Sequence, residues 1–209
     1  MKKILFLMLF MGLMFSSCSK CSSEHNALTV EGDSAKAELV VENLISTDKE
    51  NMYLNYGDNY RWYETCVLMK DFLDGDTNGD IDMVSNIFQS IIPSGIGYDT
   101  QVLKYQYFAD GTFAKDSVKG FWIEDSPLED SLIKIPYDSA FALIQKVNLP
   151  KPHTRNAILR NPIGPKAVNP QWVFGNIKEQ LWVDAVSGEI KQSNPAFEGS
   201  FGMPLGEWP

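Results

Sequence analysis

The feature that most limits what this 209-residue chain can fold into is its first eighteen positions. Met1-Lys2-Lys3 is a short positive stretch, and residues 4–15 carry no charge. An apolar run of that length is too short for a stable transmembrane helix, which needs roughly 20 residues. It has the length of the apolar region of a secretory leader. Ser16 and Ser17 follow, then Cys18. Residues 1–17 are therefore read as a cleaved signal peptide, and folding is left to what comes after.

Small residues directly before a cysteine resemble a lipobox, in which the cysteine receives diacylglycerol. Phe15 stands where leucine is commonest. Cys21 is a poorer candidate because charged Lys20 would occupy its cleavage position. An ordinary secretory leader with incidental cysteines is the competing reading, but no A-x-A-like site is present. On the lipobox reading Cys18 is the lipidation site and the membrane is the first partner. Each buried CH₂ of the acyl chains contributes about 0.8 kcal/mol to anchoring. The expected location is the cell envelope, lipid-anchored to a membrane and either periplasmic or surface-exposed. Residues 18–31 are polar and Ser-rich, as expected of a tether.

Charge narrows the remaining choices. Asp and Glu number 27 against 18 Lys and Arg, and removal of Lys2 and Lys3 with the leader makes the mature chain more acidic still. Nucleic-acid binding needs a basic patch that displaces counterions, so it is excluded as a function class. Cys66 reads as a small buried hydrophobe. The two histidines, His25 and His153, are too few and too far apart for a His-based metal centre. No nucleophile elbow, phosphate loop or dinucleotide fingerprint occurs. The expectation is a protein that is not an enzyme.

Two halves can be read along the mature chain. Residues 32–130 open with a helix over 35–45, which Ser34 could cap, followed by a loop over 48–59. Apolar runs follow at 62–73, 83–92, 102–108 and 121–124. The first two fit helical spacing as well as strand composition and are read as strands. Asp110-Gly111 is a hairpin turn signal after the third. Residues 131–192 are clearer. Pro136 suits a helix entry, and Ala140, Phe141, Leu143, Ile144 and Val147 form one apolar stripe. Strands are expected at 157–161, 172–174 and 180–184, with Gly175-Asn176 turning the second into the third. Residues 193–209 form a tail whose Phe197, Phe201 and Trp208 suggest that it packs back on the domain. The fold class is α+β: two helix-plus-antiparallel-meander halves, helices packed on one face of the sheet.

Residues 137–192 resemble a PepSY-like domain. The resemblance is carried by the Ala-containing helix over 137–147, by Gln171-Trp172-Val173-Phe174-Gly175, and most specifically by Trp182-Val183-Asp184-Ala185-Val186-Ser187-Gly188-Glu189-Ile190. It implies a small non-catalytic module of secreted or envelope proteins, one that binds or restrains peptidases. It implies no catalytic residues.

Two stretches could meet a ligand. Asp74-Gly75-Asp76-Thr77-Asn78-Gly79-Asp80-Ile81-Asp82 places oxygens at alternate positions, with glycine where an EF-hand loop turns. Calcium is the possible cofactor, with Asp74, Asp76, Asn78, Asp80 and Asp82 as its ligands. Ser85, however, stands where the bidentate Glu belongs. The other reading is a solvated acidic turn. Tyr53, Tyr56, Tyr60, Trp62 and Tyr63, interleaved with amides, could present rings to a sugar or peptide, or could be core and edge residues. The expected function is a non-enzymatic, lipid-anchored module that binds a peptide or an envelope protein. The alternative is a carbohydrate-binding lipoprotein that takes a glycan, possibly with calcium's assistance.

Overall fold

The computed structural model describes residues 39–90, 93–94, 97–98, 100–120, 122, 126–176 and 178–198. The expected signal peptide over 1–17, the candidate lipidation site Cys18 and the expected tether over 18–31 lie outside the described residues. Among the described residues no helix is long and apolar enough to cross a membrane.

Among the described residues, ten strands and two α-helices follow one another as α1 (Val41–Tyr56), β1 (Tyr60–Met69), β2 (Ile81–Ser90), β3 (Pro93–Ser94), β4 (Gly97–Tyr98), β5 (Gln101–Phe108), β6 (Phe113–Lys119), α2 (Tyr137–Lys146), β7 (Asn156–Arg160), β8 (Gln171–Gly175), β9 (Gln180–Asp184) and β10 (Ile190–Lys191). Strands β3 and β4 pair only with each other. The remaining eight form one sheet in the order β10-β9-β8-β7-β1-β2-β5-β6, antiparallel at every junction. This is the α+β fold expected. Each half is a helix followed by a four-strand meander. The halves are welded through their first strands, with Cys66 of β1 opposite Ile158 of β7 at the centre of the junction. The strand order therefore reads the same outward from that junction in both directions.

Both helices lie on one face. Val41, Ile45 and Met52 of α1 and Tyr137, Ala140, Phe141 and Ile144 of α2 belong to a single apolar core with Val67, Val84, Leu103, Leu159, Trp172, Phe174, Leu181 and Val183 of the sheet. The period-two alternation of a strand sends these side chains to the helix side and their sequence neighbours to the other. Helix α2 starts after Pro136, whose carbonyl accepts from Ala140 N–H at 2.9 Å. Its next free donor, Tyr137 N–H, is capped from α1 by Glu42 Oε1 at 2.8 Å. One helix thus satisfies the end of the other.

Two sequence expectations are corrected, and a third lies mostly outside the described residues. The first described helix does not end near residue 45 but runs over Val41–Tyr56, so residues 48–56 are helix rather than loop. Its buried stripe is Val41, Ile45, Asp48 and Met52, and an aspartate in the third position hides the helical period. Strand β6 was not foreseen, because beyond Phe113-Ala114 it reads Lys-Asp-Ser-Val-Lys. As an edge strand exposed over most of its length it carries the charges that blunt such edges. Of the run at 121–124, only Trp122 is described, and it is not in a strand.

Candidate functional site

Under α1 lies a chain of polar groups. The buried carboxylate of Asp48 accepts from Tyr107 Oη–H and, at 2.7 Å, from Asn86 Nδ2. Asn86 Oδ1 in turn accepts from Thr65 Oγ1 at 2.6 Å, and Thr65 Oγ1 accepts from Trp62 Nε1 at 3.1 Å. Burial raises the Asp48 pKa, and the hydrogen bonds from Tyr107 and Asn86 only partly counter this. The same burial, together with donation to Asp48, pushes the Tyr107 hydroxyl upward. Every acceptor and donor in this chain is met from within the protein, so it orients the helix on the sheet and offers no open group to a substrate.

The acidic loop is arranged as a turn whose carboxylates meet separate side-chain partners. Asp74 meets His153 Nδ1 at 3.0 Å, Asp80 meets Lys70 at 3.4 Å, and Asp82 meets Arg155 at 3.1 Å. The His153 ring also stacks on Phe72, with centroids 4.1 Å apart. Asn78 Oδ1 accepts from Asp80 N–H, closing a side-chain turn. Gly79 has φ +82°, and a Cβ there would stand 2.7 Å from the Phe141 ring. This glycine is therefore required by the seating of the loop on α2, whether or not calcium is present. Among the described residues, no three His, Cys, Asp or Glu side chains are grouped to hold a metal. The five expected ligands are not brought to one centre.

The aromatic cluster is also divided. Tyr53 is 63% exposed on the outside of α1, next to Leu54 at 71%. Tyr56 and Tyr60 touch, with centroids 5.0 Å apart, and Lys115 sits over Tyr56. Tyr60 and Trp62 are in the core beneath the helices. Tyr63 is the extra residue of a β-bulge between Trp62 and Glu64 and is buried outside that core. The helical turn and the bulge send these rings in three directions, so they make no single surface.

Sequence reasoning missed the second face of the sheet. Register places Trp182, Val173, Ile158, Cys66 and Ser85 side by side across β9, β8, β7, β1 and β2, with Gln106 next on β5 and Lys191 at the other end on β10. None of these residues belongs to the core under the helices. Yet the first five are at most 4% exposed. Trp182 Nε1 and Ser85 Oγ are buried with no hydrogen-bond partner. Buried polar groups are normally satisfied, so these two atoms depart from the rule on one face of the sheet. Beside the row, Glu64 is buried, accepting from Cys66 Sγ at 3.1 Å and from Trp122 Nε1 at 3.3 Å, with Arg160 opposite it on β7. Only alternation at several strands together, with their register, could have disclosed this row.

The Val-Asp-Ala-Val-Ser-Gly-Glu-Ile segment is a structural turn. Asp184 Oδ1 accepts from Val186 N–H and Ser187 N–H, both at 2.8 Å, and its Oδ2 accepts from Asn169 Nδ2 at 2.9 Å. Burial works against this carboxylate's charge, but the hydrogen bonds from Ser187, Asn169, Val186 and Gln171 outweigh it and hold the pKa below the ordinary value.

The chain matches no family model and no curated protein. The PepSY-like resemblance of residues 137–192 is accordingly not confirmed at the family level. A solved structure that it matches is described as a "putative lipoprotein" from Clostridium difficile 630, at 12% identity and a TM-score of 0.43, over 80% of this chain and 97% of that one. That similarity is too low to carry fold or function across.

Proposed function

We propose that this chain is a lipid-anchored envelope protein that binds an extended peptide or a loop of a protein partner on the second face of its sheet, without catalysis. One observation carries the reading: a row of apolar side chains outside the main core, with an unmet donor at Trp182 and an unmet hydroxyl at Ser85. A peptide backbone supplies both kinds of partner, and apolar side chains between them supply contact area. A PepSY-like second half is in keeping with such a module. No observation favours the carbohydrate alternative, since the rings it invoked point in different directions and the acidic loop is ion-paired.

The anchor is tested by Cys18→Ala, which should move the protein from the membrane to the soluble fraction. Retention wholly with membranes would sink the lipoprotein reading. The binding reading is tested by selecting peptides from a random displayed library on the immobilised mature chain. Selected peptides should bind Gln106→Arg, which alters the half-buried position beside Ser85 on β5, at least tenfold more weakly than the wild type. Equal binding to both would place the peptides elsewhere, and selection of none would count against a peptide ligand.

A further inference from the structure

The two halves of the sheet correspond residue by residue about the pair Cys66 and Ile158. One constant shift along the chain carries Thr65 and Cys66 of β1 onto Ala157 and Ile158 of β7. The same shift carries Ile45, Asp48 and Met52, buried on α1, onto Tyr137, Ala140 and Ile144, buried on α2. Strand pairing extends the correspondence. Thr65 faces Asn86 as Ala157 faces Phe174, and the row Val67, Val84, Tyr107 matches the row Leu159, Trp172, Val183. The polar chain of Asp48, Thr65, Asn86 and Tyr107 therefore stands where the second half has Ala140, Ala157, Phe174 and Val183, all fully buried in the apolar core. The same architecture is thus built without polar groups at these four places. Apolar side chains stabilise in proportion to the area they hide, whereas buried polar groups exchange water for protein partners at small net gain. We propose that α1 is a lid: it lifts from β1, β2 and β5 as a unit, hinged at Gly57, while α2 and the sheet stay folded, and it lifts more readily at neutral than at acid pH. This concerns the helix side of the sheet and does not rest on the second-face reading.

The attachment of α1 suits a lid. Of its 16 residues only Val41, Ile45, Asp48 and Met52 are buried, and one of these is the aspartate. Tyr105 Oη donates to Met52 Sδ at 3.3 Å, and Lys49 pairs with Asp130 near the surface. Tyr53 and Leu54 stand exposed on the outer side. Gly57, directly after the helix, has φ +60°, and a Cβ there would meet nothing within 4 Å, so the joint to β1 is not packed against the rest of the protein. Under the lid lie Val67, Val84, Phe88, Leu103 and Tyr105 of the core. Lifting α1 uncovers that apolar surface. It also withdraws Glu42 Oε1 from Tyr137 N–H, which frees the first donor of α2.

The groups around Asp48 fix the sign of the pH response. Asn86 of β2 and Tyr107 of β5 bond its carboxylate, and Thr65 of β1 lies one bond further. Its charge also reaches Tyr105 of β5. Burial is the main cause that holds both tyrosine hydroxyls above their ordinary value, so both stay neutral. Lys115 of β6 lies over the Tyr105 ring at 5.1 Å and stays charged, its pKa held above the ordinary value by its hydrogen bonds to Tyr56 and Tyr105 against the effect of burial. On α1 itself, Lys49 meets Asp130 and the Trp62 ring, and Glu42 meets α2. Asp48 is therefore the member of this seam that titrates between acid and neutral pH. Burial favours its protonated form while the lid is closed. Water restores its ordinary acidity when the lid is lifted, so lifting releases a proton and is favoured as pH rises.

Amide hydrogen exchange on the full mature chain, kept soluble by Cys18→Ala, tests this in the native state. At about pH 7.5 the amides of residues 45–56 should show protection factors at least tenfold below those of α2 and of β1. At about pH 4.5 that gap should narrow at least threefold, and in Asp48→Asn it should be the same at both pH values. Protection of α1 equal to that of α2 and β1 at both pH values would overturn the lid. A wild-type gap that does not change with pH would overturn the part given to Asp48. A matched pair of thiols repeats the comparison with the polar chain intact: Met52→Cys on the buried side of α1 and Ile144→Cys at the corresponding position of α2. Maleimide labelling, each rate divided by that of an unfolded peptide at the same pH, should be at least tenfold faster at position 52. Equal rates at 52 and 144 would likewise overturn the proposal.

Discussion

Replacing Asp48 with alanine should lower the melting temperature by roughly 6–12 °C, the equivalent of about 3 kcal/mol in a domain of this size. The truncation removes a carboxylate that accepts from Tyr107 and Asn86 beneath α1. Asn86 is fully buried and Tyr107 half-buried, and a buried donor left unmet costs about 1–3 kcal/mol. Asp48→Asn should be milder, because the amide keeps an oxygen for Tyr107. It still sets one NH₂ group against that of Asn86, whose oxygen is already engaged by Thr65.

The pH dependence has a definite sign. Burial raises the Asp48 pKa in the folded protein above its ordinary value near 3.8. Through the window between those two values the folded chain holds a proton that the unfolded chain has released. The stabilisation from this site is therefore complete below the ordinary value and is lost as pH rises through the raised one. Melts of wild type and Asp48→Asn between pH 4 and pH 8 should show the wild type's advantage shrinking as pH increases. An advantage that grows with pH would mean that the carboxylate is held charged in the fold.

The second large effect is expected at Gly175→Ala, with a fall in melting temperature of about 10 °C. Gly175 ends β8 at φ +141°, and a Cβ there would stand 2.1 Å from the Glu179 carbonyl oxygen and 2.8 Å from Gln180 Cα. Those obstacles are backbone, so no side-chain rotation relieves them. Strain at such a φ costs about 1–3 kcal/mol, and overpacking adds about 1–3 kcal/mol. The hairpin positions Trp182 opposite Val173, so the same substitution should disturb the second face. A loss below about 3 °C would show that the turn can open without cost to the sheet.

The second half was legible in the sequence because its signals agree with one another. Pro136 and an apolar stripe mark α2, and Gly175-Asn176 marks the β8–β9 turn. The first half was less legible for identifiable reasons. Asp48 occupies a core position of α1 and reads as a turn former. The charges of β6 belong to an edge. The junction of β1 with β7 is non-local, and no local pattern encodes it. The acidic loop stood out in the sequence, but Lys70, His153 and Arg155, which meet its carboxylates, come partly from a region eighty residues away. The two unmet polar atoms of the second face are a property of register across five strands, which no single segment displays.

The central claim, that the second face is the working surface, is tested most directly in cells. A photoreactive amino acid placed at Gln106, next to Ser85 on that face, is compared with the same residue at Leu54, exposed on the outer side of α1. Illumination should give a discrete adduct from position 106 and none from position 54. Adducts of equal yield from both positions, or from position 54 alone, would contradict the account.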